Sequence, residues 1–220
     1  MPDPNTPALT AELGERLVSK DYKRDFRERQ ALIRDGASWK LERRQYFEER
    51  NDPSRDALTR GDWQEVLRLF AADRDIVRAM AREDRSRGHT FHRVRIVEYP
   101  ITPYVQWELH WLKQNAELGA SRVRIVTADQ VADAEKNQQL PEIVILDGRT
   151  LYRVLYTDNG QPMGSIRFTD PLRVHPWERY ITSLYEAGED IASYFAREIA
   201  PLPAPPPVPS PFPSPVPQPE

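Results

Sequence analysis

Five residues, Arg93-Val94-Arg95-Ile96-Val97, recur letter for letter as Arg122-Val123-Arg124-Ile125-Val126, with a helix-like stretch between them. Each copy alternates charged and apolar residues before two β-branched ones, the pattern of a strand with a buried face. The intervening stretch opens at Thr102-Pro103, where the missing proline donor costs nothing, and stops at Gly119. Strand, helix and strand within about 30 residues make a βαβ unit, which forces parallel strands and a right-handed crossover. The repeat is read as likeness between two such strands and not as a duplicated domain.

The flanking segments extend this unit. Ser38-Trp39-Lys40-Leu41-Glu42 alternates like a short strand, and Glu142-Ile143-Val144-Ile145-Leu146 is the near-continuous apolar run of a strand buried on both faces. Asp147-Gly148 turns the chain into a hairpin partner at 150–156, Asp158-Asn159-Gly160 turns it again, and 165–168 supplies a third strand. Asp170-Pro171 starts an amphipathic helix expected to reach Glu198, bent or restarted near Pro176. Helical spacing also covers 10–34 and, after Gly61, one run over 63–80. The expectation is a single α/β domain at 38–199, a mixed sheet with a βαβ unit, a following hairpin and a long C-terminal helix. A charged N-terminal helix at 10–36 precedes it. Residues 1–9, with Pro at 2, 4 and 7, are expected to be a flexible leader, and 200–220 a disordered Pro-rich tail.

Charge and composition exclude several functions. The 220 residues hold 31 Lys+Arg and 34 Asp+Glu, a net −3, and up to Thr90 the two signs stand at 19 and 18. Such interleaving suits solvated helix faces and offers no field for phosphates, so direct nucleic-acid binding is not expected. The absence of Cys excludes disulfides, Cys-based zinc sites, iron–sulfur clusters and a thiol nucleophile. No run of about 18 apolar residues occurs. The first residues lack a signal-peptide pattern, so the expected setting is cytoplasmic and off the membrane. Eleven of the 21 Pro follow Ala200, so the excess belongs to the tail. P-x-x-P spacing recurs there without a basic residue after Arg197, which favours a spacer over groove recognition.

Catalytic patterns are missing. His89 and His92 stand three apart near a strand start and point to opposite faces, so no metal site is expected. There is no G-x-S-x-G, no Ser beside an evident base, no G-x-G-x-x-G and no Walker pattern; no cofactor is expected. The more informative group stands where the first βαβ strand ends. Glu98-Tyr99-Pro100 leaves the sheet at its carboxyl edge, where open α/β folds place ligands. On the following helix Tyr104, Trp107, Glu108, Trp111 and Asn115 share one face. An aromatic wall carrying a carboxylate and an amide suits a cationic or planar ligand. Asp147, ending the next buried strand, is expected to reach the same edge. The competing reading makes the Tyr/Trp/Trp stripe core, with Glu108 satisfied by an arginine such as Arg95.

Trp39-Lys40-Leu41-Glu42 with Tyr46 and Glu49, Arg93 to Pro100 as one block, Tyr104 with Glu108, Asn115 and Gly119, and Leu140-Pro141 leading to Leu146-Asp147 resemble an actinobacterial family catalogued as a domain of unknown function. The likeness covers 38–185. It departs at Ala120, where an acid commonly follows the glycine, and at Val144, where Trp is common. The resemblance implies a fold and a regulatory setting, since members are often encoded beside helix-turn-helix regulators; it implies no mechanism. The order of elements is also similar to half of a phospholipase D-like domain, whose chemistry needs His, Lys and Asp. Aligned on Asp147, those His and Lys positions hold Leu140 and Glu142, which can neither attack nor hold a phosphate.

Together these readings point to a non-catalytic regulatory or effector-binding domain working with a helix-turn-helix regulator or a small-molecule effector. Glu98, Tyr104, Trp107, Glu108, Asn115 and Asp147 are its candidate binding residues. The alternatives are a protein–protein adaptor using the charged helices or the tail, and an enzyme of unassigned type.

Overall fold

The computed structural model describes residues 6–49 and 51–208. It is a single mixed α/β domain built on one eight-stranded sheet. The order is β1 (Glu15–Leu17), β7 (Pro162–Phe168), β6 (Thr150–Tyr156), β5 (Ile143–Leu146), β2 (Ala37–Glu42), β3 (Thr90–Val97), β4 (Arg122–Thr127) and β8 (Glu189–Asp190). Strands β2, β3 and β4 run parallel and the remaining pairings are antiparallel.

The central βαβ unit is β3, α5 (Pro103–Glu117) and β4. Thr102 caps the helix by accepting from the Val105 N–H, Pro103 sits in its first turn, and Gly119 at φ +79 follows its end. The repeated pentapeptides are neighbours, but their register is offset by one residue: Arg93 pairs with Val123 and Val94 with Arg124. Paired residues share a face and successive residues do not, so the two identical segments turn their arginines to opposite sides of the sheet. Asp147 and Gly148, at φ +52 and +60, form the hairpin turn between β5 and β6.

One sheet face is covered by α7 (Pro171–Ala187), whose Trp177, Tyr180, Ile181 and Leu184 pack on Leu41, Val94, Ile143 and Phe168. On the other face α1 (Ser19–Ala31) covers β5 to β7 through Tyr22, Phe26 and Tyr152. Helix α5 covers β3 and β4 there, backed by α2 (Pro53–Arg60) and α3 (Trp63–Ala72). Between α1 and α5 the face over β2 and β3 carries charge.

Three expectations need correction. Residues 10–36 are not one helix: a 3-10 turn and strand β1 precede α1. Gly164 of β7, at φ +111, has the Leu17 carbonyl oxygen where a Cβ would stand, so glycine there admits β1 to the sheet edge. The run after Gly61 is two helices, α3 and α4 (Arg74–Ser86), separated at Asp73. The C-terminal helix stops at Ala187 instead of reaching Glu198. A Cβ on Gly188 would lie 2.9 Å from Arg124 Cβ and 3.1 Å from the Ile125 oxygen, so glycine lets the chain close onto β4 as β8. A further short helix, α8 (Ile191–Tyr194), follows.

The termini depart from expectation too. In the leader, Leu9 is buried in the core under α7, Trp177 Nε1 donates to the Pro7 carbonyl at 3.0 Å, and Arg153 donates to that of Leu9 at 2.8 Å. In the tail, Gln106 donates to the Pro203 carbonyl at 3.0 Å, Pro205 is buried, and Pro207 lies against Gly61. Residues 1–5 and 209–220, to which the expectations of a leader and of disorder also applied, lie outside the described residues. No helix among the described residues is long and apolar enough to cross a membrane.

Candidate functional site

Strand alternation and the β2–β3 register put Lys40, Glu42, Arg93 and Arg95 side by side on the face beneath α5, with Lys40 paired to Arg93 and Glu42 to Arg95. Glu108 reaches down from α5 to the fully buried Arg95, accepting from Nε at 2.8 Å and in ion-pair contact with Nη2 at 2.6 Å. Arg95 also donates to the Ile96 carbonyl at 2.8 Å. Glu42 is buried between two more cations, Lys40 and Arg93, the latter at 2.5 Å. Burial by itself pushes the Glu42 carboxyl up; Arg93, Lys40 and Arg95 outweigh it and hold the group at about 2. Breaking such a cluster by removing one partner is strongly destabilising because it strands a buried charge.

Aromatic rings flank this strip. The Tyr104 hydroxyl donates to Glu49 at 3.4 Å, and the Arg55 guanidinium stands 5.4 Å from the Tyr46 ring centre and 5.5 Å from that of Tyr104. Arg93 lies 5.7 Å from the Trp111 ring centre. Glu49 has its carboxyl raised, mainly by desolvation and further by Asp52 and Glu42, against the pull of Lys40. The strip therefore offers cationic donors, carboxylate acceptors and ring faces together, the mixture that orients a small polar planar molecule.

Of the residues singled out in the sequence, Tyr104, Glu108 and Trp111 meet here. The Arg95 partner anticipated by the competing reading is the one Glu108 has. Trp107 faces α2 and donates from Nε1 to Ser54 Oγ at 3.1 Å. Asn115 donates to the Trp111 carbonyl of its own helix at 2.8 Å. Glu98 belongs to another cluster, accepting from Arg43 at 2.5 Å while Arg43 also binds Glu135 at 2.7 and 2.8 Å. Asp147 does not join that edge, contrary to expectation. Strand β5 runs antiparallel to β2, so its carboxyl end lies beside the amino ends of the parallel strands, where Asp147 N–H donates to the Ala37 carbonyl at 3.0 Å.

Sequence reasoning missed Lys40, Glu42 and Arg93 as a group. The available signal was K-x-E on one strand and R-x-R on its neighbour, but only strand register brings them together. It also missed a chain of hydrogen bonds with no local signature. Asp84 Oδ1 stands 2.9 Å from His89 Nδ1, and His89 Nε2 stands 2.9 Å from Ser38 Oγ. With Nδ1 protonated toward Asp84, Nε2 accepts the Ser38 hydroxyl, the pairing that activates serine nucleophiles. Ser38 is fully buried in the middle of the sheet, and Asp84 also holds Arg87 at 2.5 Å, so the triad works as an internal tie between β2, β3 and α4. Among the described residues no three His, Cys, Asp or Glu side chains are grouped to hold a metal.

Neither the curated proteins nor the solved structures contain a match to this chain. A family model does match: a domain of unknown function, DUF6879, over residues 24–196, which spans strands β2 to β8, the charged strip and α7. By that match the chain belongs to the DUF6879 family.

Proposed function

We propose that this chain is a non-catalytic effector-binding domain that takes a small, planar, polar molecule on the face over β2 and β3, beside α5. The observation that carries the reading is the convergence of Lys40, Glu42 and Arg93 with the rings of Tyr46, Tyr104 and Trp111 on the face of β2 and β3 beside α5. Occupancy of that stretch would be signalled through α5 to a regulatory partner, in keeping with the setting the family resemblance implies. A thermal-shift screen tests it: a true ligand at 100 times its Kd stabilises by about 2.7 kcal/mol. The shift is expected to shrink in folded Lys40→Gln and Tyr104→Phe variants. No ligand shift, or shifts indifferent to both substitutions, overturns the assignment. Labelling of Ser38 by a fluorophosphonate would overturn its non-catalytic part.

A second reading, a protein–protein adaptor, is favoured by the exposed Ile76 and Met80, one turn apart on α4. It requires that Ile76→Asp abolish co-elution with a neighbouring helix-turn-helix regulator; co-elution unaffected by that change removes it.

A further inference from the structure

At the amino-terminal end of β4, away from the charged strip, two cavities adjoin. One of about 360 Å³ is lined by Arg85, His89, Phe91 and Gly119; the other, of about 350 Å³, by Lys113, Arg124, Tyr185 and Asp190. Ala116, Ser121 and Arg122 line both, so Arg122 stands at their junction. The carboxylates along this groove are already engaged. Asp84 holds Arg87 at 2.5 Å and His89 at 2.9 Å, Glu117 holds Lys113 at 2.7 Å, and Asp190 caps the Ala192 N–H at 2.9 Å. Arg85, Arg122 and Arg124 are different: among the described residues none has a carboxylate within ion-pair reach. Arg82, one turn before Arg85 on α4, adds a further unpaired cation.

Most other arginines of the domain are tied to an acid or a carbonyl. Arg122 and Arg124 stand apart for a reason that lies in the sheet. The one-residue offset between β3 and β4 turns Arg93 and Arg95 toward Glu42 and Glu108, and sends Arg122 and Arg124 to the other side, where the acid in register with Arg124, Asp190, is engaged in capping Ala192. Arg124 instead rests 5.6 Å from the Tyr185 ring centre, and Gly119 leaves the Arg85 guanidinium room against the backbone, since a Cβ there would stand 3.1 Å from Nη2. His92, whose Cα partner is Arg122, is held neutral by burial and by that arginine, so it is no competing anion partner.

We propose that this groove is a binding site for the oxyanion group of a small molecule, seated between Arg85 and Arg122 with Arg124 along its path. A guanidinium fork matches a phosphate or a carboxylate equally well, and both groups are anionic at neutral pH. The site is separate from the strip over β2 and β3, and either can fail without the other.

The test is calorimetric titration of the full chain at fixed ionic strength with inorganic phosphate and, in parallel, with succinate. Saturable binding of at least one is expected, and which one binds identifies the group as phosphate or carboxylate. The Arg85→Ala/Arg122→Ala variant is expected to weaken binding by about tenfold or more, since each lost contact is a charged hydrogen bond. Arg122→Lys should recover part of it, and Arg16→Ala, which removes an exposed arginine elsewhere, should change nothing. Both side chains of the double variant are exposed, so an unchanged melting temperature without ligand is the control for folding. Absence of saturable binding by both anions overturns the proposal. So does equal binding by the double variant.

Discussion

Glu142 begins the central strand, and its single Oε1 accepts from two backbone N–H groups, Arg43 at 2.8 Å and Arg44 at 2.6 Å. Burial pushes this carboxyl up to about 7, with Glu42 adding to the rise. A carboxyl raised on folding binds its proton more tightly in the native state, so its contribution is complete below about pH 4.5 and is lost as pH climbs toward 7. Glu142→Gln keeps an oxygen for the two N–H groups and removes the titration. Denaturant midpoints should therefore agree for the two proteins near pH 4, with the variant ahead near pH 8 by at most roughly 3 kcal/mol. A difference that stays constant between those pH values would contradict this account. At this scale the sequence disclosed residue type and face but not partner. Glu108 could be assigned to the α5 face from spacing, and Arg95 named as a partner, because helix and strand periods are local. That Glu42 gathers Lys40 and Arg93 depends on register between strands 51 residues apart along the chain, which no local period encodes.

The elements divide in the same way. The βαβ unit, the β5–β6 hairpin and the helix starts at Thr102 and Asp170 were legible because each is written in a few adjacent residues. Strands β1 and β8 were not: they are two or three residues long and exist only where a glycine lets them approach an established edge. Gly188 illustrates the dependence. A valine there would press on Arg124 and on the Ile125 carbonyl, with a cost of about 1–3 kcal/mol typical of overpacking. Its effect should be directional: hydrogen exchange at Ile125 and Asp190 accelerates while the β5–β6 amides keep their protection. Uniform loss of protection across the sheet would mean that β8 is no separate closing element. Asp147 failed as a site residue for a related reason, since the antiparallel entry of β5 reverses which end of the sheet its turn occupies.

At the level of the whole molecule the two ends of the described chain act as clamps on opposite layers. Leu9 is sealed beneath α7, while 201–208 cross α2 and α5 through Pro203, Pro205 and Pro207. Removing 201–220 is expected to lower stability by about 1–3 kcal/mol, the range for losing a buried contact set. Chemical denaturation of the shortened chain measures it, and an unchanged midpoint would return the whole tail to the role of a free spacer. Composition alone could not distinguish these cases, because proline-rich chain is stiff whether or not a surface receives it.

The offset between the two copies of Arg-Val-Arg-Ile-Val has one more consequence. Laid letter on letter, the copies equate Arg93 with Arg122 and Arg95 with Arg124, yet the first of each pair is neutralised in the interior and the second lines the groove. What separates these fates is no property of the five letters. It is parity, the odd or even number of residues by which the connection delivers β4 to its neighbour. The length of a loop thus sets the electrostatic meaning of an identical word.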